Sequence, residues 1–519
     1  MSNKKQHDEE HSKIYKVWLW IKQWWLPIAI LLITSIGLAC ALSIPQRVFE
    51  TPREPANDKS APVLLAQSNL RLAFLYITGG AIAVMGLVET FRKNNNDKLK
   101  NDQEKQKNDR EHLRQVRADR RERYTKAVEQ LGDEKAPIRM GGVYTLVGLI
   151  DEWLEDESIE KYKDRLKEGQ VIINNLCAYI RSPFTLASQH SKLSQNKIKS
   201  KNKFKKFIRK YIQQNFYINK ANFQAEVDVR LSIMKEIHDR IQGPDKNTPG
   251  AWSDFEYDFS GSTFFYPIDL TKSYYAKPIN FSGSTYQGGA YFSGSTYQGG
   301  ANFADSTYQA LADFTGSTYQ GGANFADSTY QGRVDFSDST YKDVADFTDS
   351  TYQGGANFTG STYKGWAYFS RSTYQGEADF SRSIFYSETY FGKGKYSNSS
   401  SCFTNRAPQF YDKTNRKNTL FGSHNNDFTV DIDKGYPINL NSEGLPLDCK
   451  FLTSEQKEYL EGKFQKIEKI NNELLKVKDP KENTKLLDTL GSFEEELYEW
   501  QEEATTVKVE DVAAEDTES

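Results

Sequence analysis

Asp305, Asp327, Asp338 and Asp349 recur at one position of a repeated phrase, and clustered carboxylates are the groups with which a protein could run general acid–base hydrolysis or elimination. The same position is Gly283, Gly294, Gly316 and Gly360 in other copies, and Arg371 and Arg382 in two more. A shared acid or base does not survive such replacements, whereas a turn does. Other chemistry is equally hard to find. The six histidines are scattered and the four cysteines separated, with no CxxC, so neither a Ser–His–Asp constellation nor metal-ligand spacing can be read. Arg139, Gly141 and Gly142 suggest part of a phosphate cradle, but no strand precedes them and no GxxxxGK follows. Tight helix packing is the plainer reading. No catalytic, cofactor or metal-binding residue is assigned, and the expectation is a protein that is not an enzyme.

The phrase itself carries the architecture. Phenylalanines stand at Phe281, Phe292, Phe303, Phe314, Phe325, Phe336, Phe347 and Phe358, and on to Phe391, one every eleven residues. Tyr286, Tyr297, Tyr308, Tyr319, Tyr330 and Tyr341, continuing to Tyr374, fill the intervals; Phe385 and Tyr396 extend the series. Two residues before each Phe is an Ala or Val, such as Ala301, and two before each Tyr is a Ser, such as Ser306. Small residues held at period two from an aromatic belong on the same inward face. The residue before each Ala or Val keeps neither size nor charge (Gly289, Leu311, Arg333, Trp366, Glu377) and must face solvent. Gln or Lys after each Tyr, and Asn or Asp before most Phe, line outer faces. Gly288, Gly299, Gly321, Gly332, Gly354, Gly365 and Gly376 are expected to be corners with positive φ, a role that Ala310 fits poorly. Buried Tyr hydroxyls need partners, and the Ser column is the nearest supply.

Ala-Asn-Phe-Ala-Asp at Ala301–Asp305 and Ser-Thr-Tyr-Gln-Ala at Ser306–Ala310 resemble the unit of the pentapeptide-repeat family, with one extra residue in every second unit. The resemblance implies a four-sided right-handed β-helix with the large and small residues inside. Phe281 would then lie over Phe303 and Phe325, and Tyr286 over Tyr308 and Tyr330. Six or seven coils at about 4.8 Å give a rod roughly 30 Å long. A triangular coil of three units is the alternative. Certain soluble members resemble duplex DNA and engage topoisomerases, which needs a strongly acidic surface. Between Phe259 and Tyr396 there are twelve acidic and nine basic side chains, too weak a field for that role.

What precedes the repeats is different. Trp24–Gln46 and Leu72–Val88 carry no charge, and each is long enough to cross a hydrocarbon core of about 30 Å. Lysines and arginines crowd the flanks before the first run and after the second, while the connecting loop is poorer in them. The expectation is a transmembrane hairpin in the cell membrane with both termini cytoplasmic. A cleaved signal peptide would have a shorter apolar core and no second span. Cys40 hints at lipidation, but Gly37 stands where a bulky aliphatic is wanted, so a buried span cysteine is the plainer reading.

The chain thus reads as an α+β multidomain protein: two transmembrane helices, a helical module and a right-handed β-helix. Its parts are a cytoplasmic N-terminus (1–16), the hairpin (17–91), a charged helical stalk (92–118), the helical module (119–250), the solenoid (251–396), an irregular cap closing its open end (397–450) and a helical acidic tail (451–519). Arg139–Leu146 and Leu176–Pro183 are similar to a module found before pentapeptide repeats in bacterial, notably actinobacterial, membrane proteins. The basic run Lys192–Lys210 suits a solvated insertion, or an amphipathic helix at a membrane surface or acidic partner. Glu494, Glu495 and Glu496 could meet the basic runs or lie on a solvated helix. The expected partners are the lipid bilayer and a protein not identified by the sequence; nucleic acid is disfavoured and homo-oligomerisation is left open. A membrane-anchored scaffold is the leading expectation, a topoisomerase-directed regulator the second, and a β-helix hydrolase or lyase the third, which a carboxylate pair in a groove would favour.

Overall fold

The computed structural model describes residues 2–49, 61–195, 206–392, 399–474 and 480–507, with side chains from residue 24 onward and excepting 206–212 and 480–483. The loop at 50–60, most of the basic run Lys192–Lys210, Tyr396 and the tail beyond 507 lie outside the described residues. The chain divides into two units, Met1–Asp119 and Arg120–Ser519.

In the first unit, α1 (Ser2–Val48) runs beside the N-terminal part of α2 (Ala61–Leu131), whose last turns belong to the second unit. Gln67 ties their near ends by donating to the carbonyls of Pro45 (3.2 Å) and Phe49 (3.1 Å). Gly37 lets the helices touch: a Cβ there would run into the Thr78 side chain. Large apolar side chains such as Leu31, Tyr76 and Ile77 point outward. By length and composition alone, Trp24–Val48 and the apolar part of α2 could each cross a membrane.

The second unit begins with a helical module: α3 (Ala136–Leu154), α4 (Tyr162–Arg181), the single turn α5 (His190–Leu193) and α6 (Lys206–Ile241). Its core is Leu146, Ile150, Ile173, Leu176, Ile233 and Ile237. Gly142 is required by close approach, since a Cβ would stand 2.7 Å from the Ala127 carbonyl oxygen. Arg139 is no phosphate ligand here; it donates to the carbonyls of Asp133 and Glu134 and pairs with Glu226 at 3.2 Å. Glu226 also holds the buried Arg230 at 2.7 Å, whose remaining donors meet the Ile180 and Ser182 carbonyls.

The module closes the N-terminal end of a β-solenoid. Arg181 reaches Asp258 (2.6 Å), His238 bonds the Thr271 carbonyl (2.7 Å), and Phe184 packs on Phe265. Among the described residues the solenoid has four faces of two-residue parallel strands. Face 1 runs from Tyr257–Asp258 to Thr389–Tyr390, face 2 from Thr263–Phe264 to Cys402–Phe403, face 3 from Ile268–Asp269 to Ala378–Asp379, and face 4 from Tyr274–Tyr275 to Lys450–Phe451. Each strand pairs with one in the next coil, as Thr307 with Thr329 and Ala312 with Val334, a step of 22 residues that makes the coil four-sided. Phe281 stacks on Phe303 (centroids 5.3 Å apart) and Tyr286 on Tyr308 (4.5 Å).

Residues 399–450 do more than cap the end. Cys402–Phe403 and Leu420–Phe421 add strands to faces 2 and 4, so coiling continues through sequence that has lost the repeat. Phe403 stacks on Tyr374. After residue 450, α7 (Ser454–Leu474) and α8 (Pro480–Ala504) form a hairpin that lies on face 4.

Candidate functional site

The inward ladder is wholly buried. Phe281, Phe292, Phe303, Phe314, Phe325, Phe336, Phe347 and Phe358 occupy faces 1 and 3 alternately; Tyr286, Tyr308 and Tyr330 belong to face 2, and Tyr297, Tyr319 and Tyr341 to face 4. Phenylalanines from opposite faces meet edge to face, as Phe303 and Phe314 do at 5.1 Å, while each column stacks along the axis. These side chains are a core, with no route to a substrate.

Two expectations about that core need correction. The serines do not serve the tyrosines. Ser306 Oγ donates to the Phe281 carbonyl (3.2 Å) and accepts the Ser284 N–H (3.2 Å), and Ser317 repeats this with Phe292 and Ser295. The hydroxyls of Tyr286 through Tyr374 stay buried without a hydrogen-bond partner, and burial pushes them well above the usual phenol range. Their apolar ring contacts outweigh the orphaned oxygen, which costs roughly 1–3 kcal/mol. Nor do Gly288, Gly299, Gly321 and their column have positive φ. The left-handed corners are at Gly283, Gly294, Asp305, Gly316, Asp327, Asp338, Asp349, Gly360, Arg371 and Arg382, two residues after each Phe. That is the physical reason for the mixed Gly, Asp and Arg column. The other glycines are kept by crowding: a Cβ at Gly299 would meet the backbone of Lys277 and Pro278.

The constant polar columns outside are also structural. Asn302 Oδ1 accepts the Ala304 N–H (3.1 Å) and Asp313 Oδ1 the Thr315 N–H (3.0 Å), so each Asn or Asp before a Phe closes its own turn. Stacked Asp305, Asp327 and Asp349 share a corner; burial, then Asp349 and Asp305, raise the Asp327 carboxyl. Arg371 Nε answers Asp349 at 2.7 Å.

What varies is exposed. Leu311 is 39% and Trp366 50% accessible, and Arg333 and Glu377 also face solvent. Face 2 presents Thr285, Thr307, Thr329 and Thr351 half-buried, with Gln309, Gln331 and Gln353 beside them. On face 1, Tyr368 and Tyr390 replace the Asn column and stack 5.2 Å apart. Face 4 differs: α7 and α8 cover the equivalent Gln320, Lys342 and Lys364. Nothing in the spacing of 451–500 announces that docking, because an amphipathic hairpin does not state which surface it covers.

A groove of about 860 Å³ lies where face 3 meets residues 407–448. It contains Asp379, raised by burial, and Asp412, whose carboxyl is lowered by bonds to Asn415, Thr414 and Arg382 that prevail over burial. Both hold turns: Asp379 Oδ1 takes the Ser381 N–H (2.9 Å), and Asp412 takes Thr414 and Asn415 (3.0 Å each). Among the described residues no group of three or more His, Cys, Asp or Glu could hold a metal ion. Cys177 is buried and its thiol pushed up to about 12 by that burial, opposite to a reactive cysteine.

Residues 342–384 match the model of pentapeptide repeats (nine copies), so that segment is built of such repeats. No curated protein and no solved structure matches the chain.

Proposed function

We propose that the protein is a membrane-anchored, non-catalytic scaffold of the bacterial kind its helical module resembles. Its α1–α2 hairpin would span the cell membrane with both termini in the cytoplasm, and the solenoid would offer a partner protein its uncovered faces. The observation that carries this reading is the division of labour among the columns. The constant Phe, Tyr, Ser and Asn or Asp columns are taken up by the core or by a turn, whereas the Thr and Gln columns and the variable side chains lie on the outside, where aromatic residues such as Trp366 suit an interface. A pentapeptide-repeat solenoid fits a protein-interaction role. The topoisomerase-directed alternative has in its favour the stacked Asp305, Asp327 and Asp349, of which Asp349 is already paired.

Carbonate extraction of membranes tests the anchor: the full chain stays with the bilayer, and a chain lacking residues 24–88 does not. A photocrosslinker at Tyr368 on face 1 yields an adduct with one protein, whereas the same probe at Gln320, beneath α7, does not. A freely soluble full-length chain, or equal labelling at both positions, would defeat the reading.

A further inference from the structure

Face 1 changes character along the rod. The position before each inward phenylalanine is Asn280, Asn302 and Asn324 in the early coils, then Asp346, Tyr368, Tyr390 and Asp427 in the later ones, each paired with the next. An Asn or Asp there accepts the N–H two residues on, as Asn324 does from Ala326 (3.0 Å) and Asp427 from Thr429 (2.9 Å). A tyrosine cannot. Tyr368 and Tyr390 therefore forgo a turn-closing bond that the fold alone would keep, a local departure of the kind that marks a functional surface. Trp366 stands beside them, exposed and edge-on to Tyr368 (centroids 6.3 Å apart), and Tyr368 stacks on Tyr390.

Carboxylates bracket this aromatic strip. Asp346 lies one coil before it and Asp427 one coil after, while Glu388 sits at its side and accepts the Tyr390 hydroxyl. Among the described residues none of the three is paired with a Lys or Arg. Arg371, at the adjoining corner, bonds Asp349 (2.7 Å), and Glu388 has Tyr390 and the Asn425 amide (3.3 Å) as its partners. The strip is thus apolar area framed by uncompensated negative charge. Its complement is cationic, because Arg and Lys both pair with carboxylates and lie against aromatic rings. The spacing narrows the choice. Asp346 and Asp427 are three coil steps apart, about 14 Å, and in an extended chain the side chains of residues i and i+4 point the same way about 13 Å apart.

Building on the scaffold reading, we propose that the last coils of face 1 dock an extended segment of the partner protein with Lys or Arg at positions i and i+4 and an apolar residue at i+2. The two cations meet Asp346 and Asp427, the residue between them covers Tyr368 and Tyr390, and Trp366 walls one side.

Calorimetric titration of the full-length protein in detergent tests this with the peptide Arg-Thr-Val-Thr-Arg and its isomer Arg-Arg-Thr-Val-Thr. The first binds saturably and more tightly than the second, and salt weakens it. Asp346→Asn combined with Asp427→Asn keeps both turns, since Asn324 closes its own, yet weakens the first peptide at least about fivefold, as the loss of two exposed ion pairs does, and removes most of the salt dependence. Trp366→Ala weakens binding and leaves the salt dependence in place. No binding at millimolar concentration, equal binding of the two peptides, or unchanged binding by the double variant would overturn the proposal. The photocrosslinker at Tyr368 separates this from the scaffold reading. A protein adduct that the double variant leaves undiminished sinks the basic segment alone, whereas no adduct in either background sinks both.

Discussion

A Cβ placed on Gly321 would stand 2.9 Å from the carbonyl carbon and oxygen of Gly299 in the adjoining coil. Real Cβ atoms do not approach backbone so closely, so Gly321→Ala must push two coils apart. It is expected to lose about 1–3 kcal/mol in urea unfolding of the solenoid. Gly316→Asn is the contrast. Its φ of +66° matches that of Asp327 in the same kind of corner, and no atom crowds it, so it stays within about 0.5 kcal/mol of wild type. Equal loss in both variants would contradict the separation of the two glycine columns.

Ser317 and Tyr319 lie on the same inward face and predict opposite results. Ser317→Ala strips a donor from the Phe292 carbonyl and an acceptor from the Ser295 N–H, and costs about 1–3 kcal/mol. Tyr319→Phe removes a hydroxyl that has no partner, and is neutral or stabilising by up to about 1 kcal/mol. Chemical denaturation monitored by circular dichroism reads both.

The tyrosine columns make the solenoid sensitive to alkali. Burial raises the hydroxyls of Tyr286, Tyr308, Tyr341 and Tyr352 well above 10, so the folded chain keeps protons that the unfolded chain releases. Their contribution is therefore complete below pH 10 and is lost progressively above it. Each such residue steepens the decline by about 1.4 kcal/mol per pH unit. Unfolding should be cooperative with phenolate absorbance, and a gradual titration of the tyrosines at constant structure would contradict it.

The solenoid was legible in the chain because a two-residue strand has one inward position, and the same side chain recurs there in every coil. Phe303 and Tyr308 therefore speak for their columns. The turns were harder to read. Both glycine columns look alike in sequence, and only the backbone separates Gly316, which needs a left-handed φ, from Gly321, which needs room. Asn302 looked like an outward contact residue, yet its amide oxygen is occupied by the Ala304 N–H. Beyond Phe391 the coil persists without its repeat, since Phe403 and Phe421 need only the right geometry, not the right spacing. The burial of Lys342 beneath the α7–α8 hairpin depends on residues more than a hundred positions away, and no local pattern encodes it.

Gln501 is the last bond that a loosening hairpin would break. Its amide satisfies Thr362 Oγ1 and the carbonyls of Gly360 and Arg382 together, all within a region closed to water. Gln501→Leu leaves those groups unpaired and is expected to cost about 2–4 kcal/mol, felt as detachment of α8 more than as unfolding of the coils. Hydrogen exchange can tell these apart. Amides of α8 from Leu497 to Ala504 should lose protection in the variant, while those paired between coils, such as Thr329 to Ser306, keep theirs. The other end of α8 has its own ties, Glu494 pairing with Lys246 (3.2 Å) and accepting from Asn247 Nδ2 (3.1 Å), so the amides from Leu487 to Glu494 should keep their protection in the variant. Uniform protection along α8 would mean that the hairpin opens as one piece or not at all.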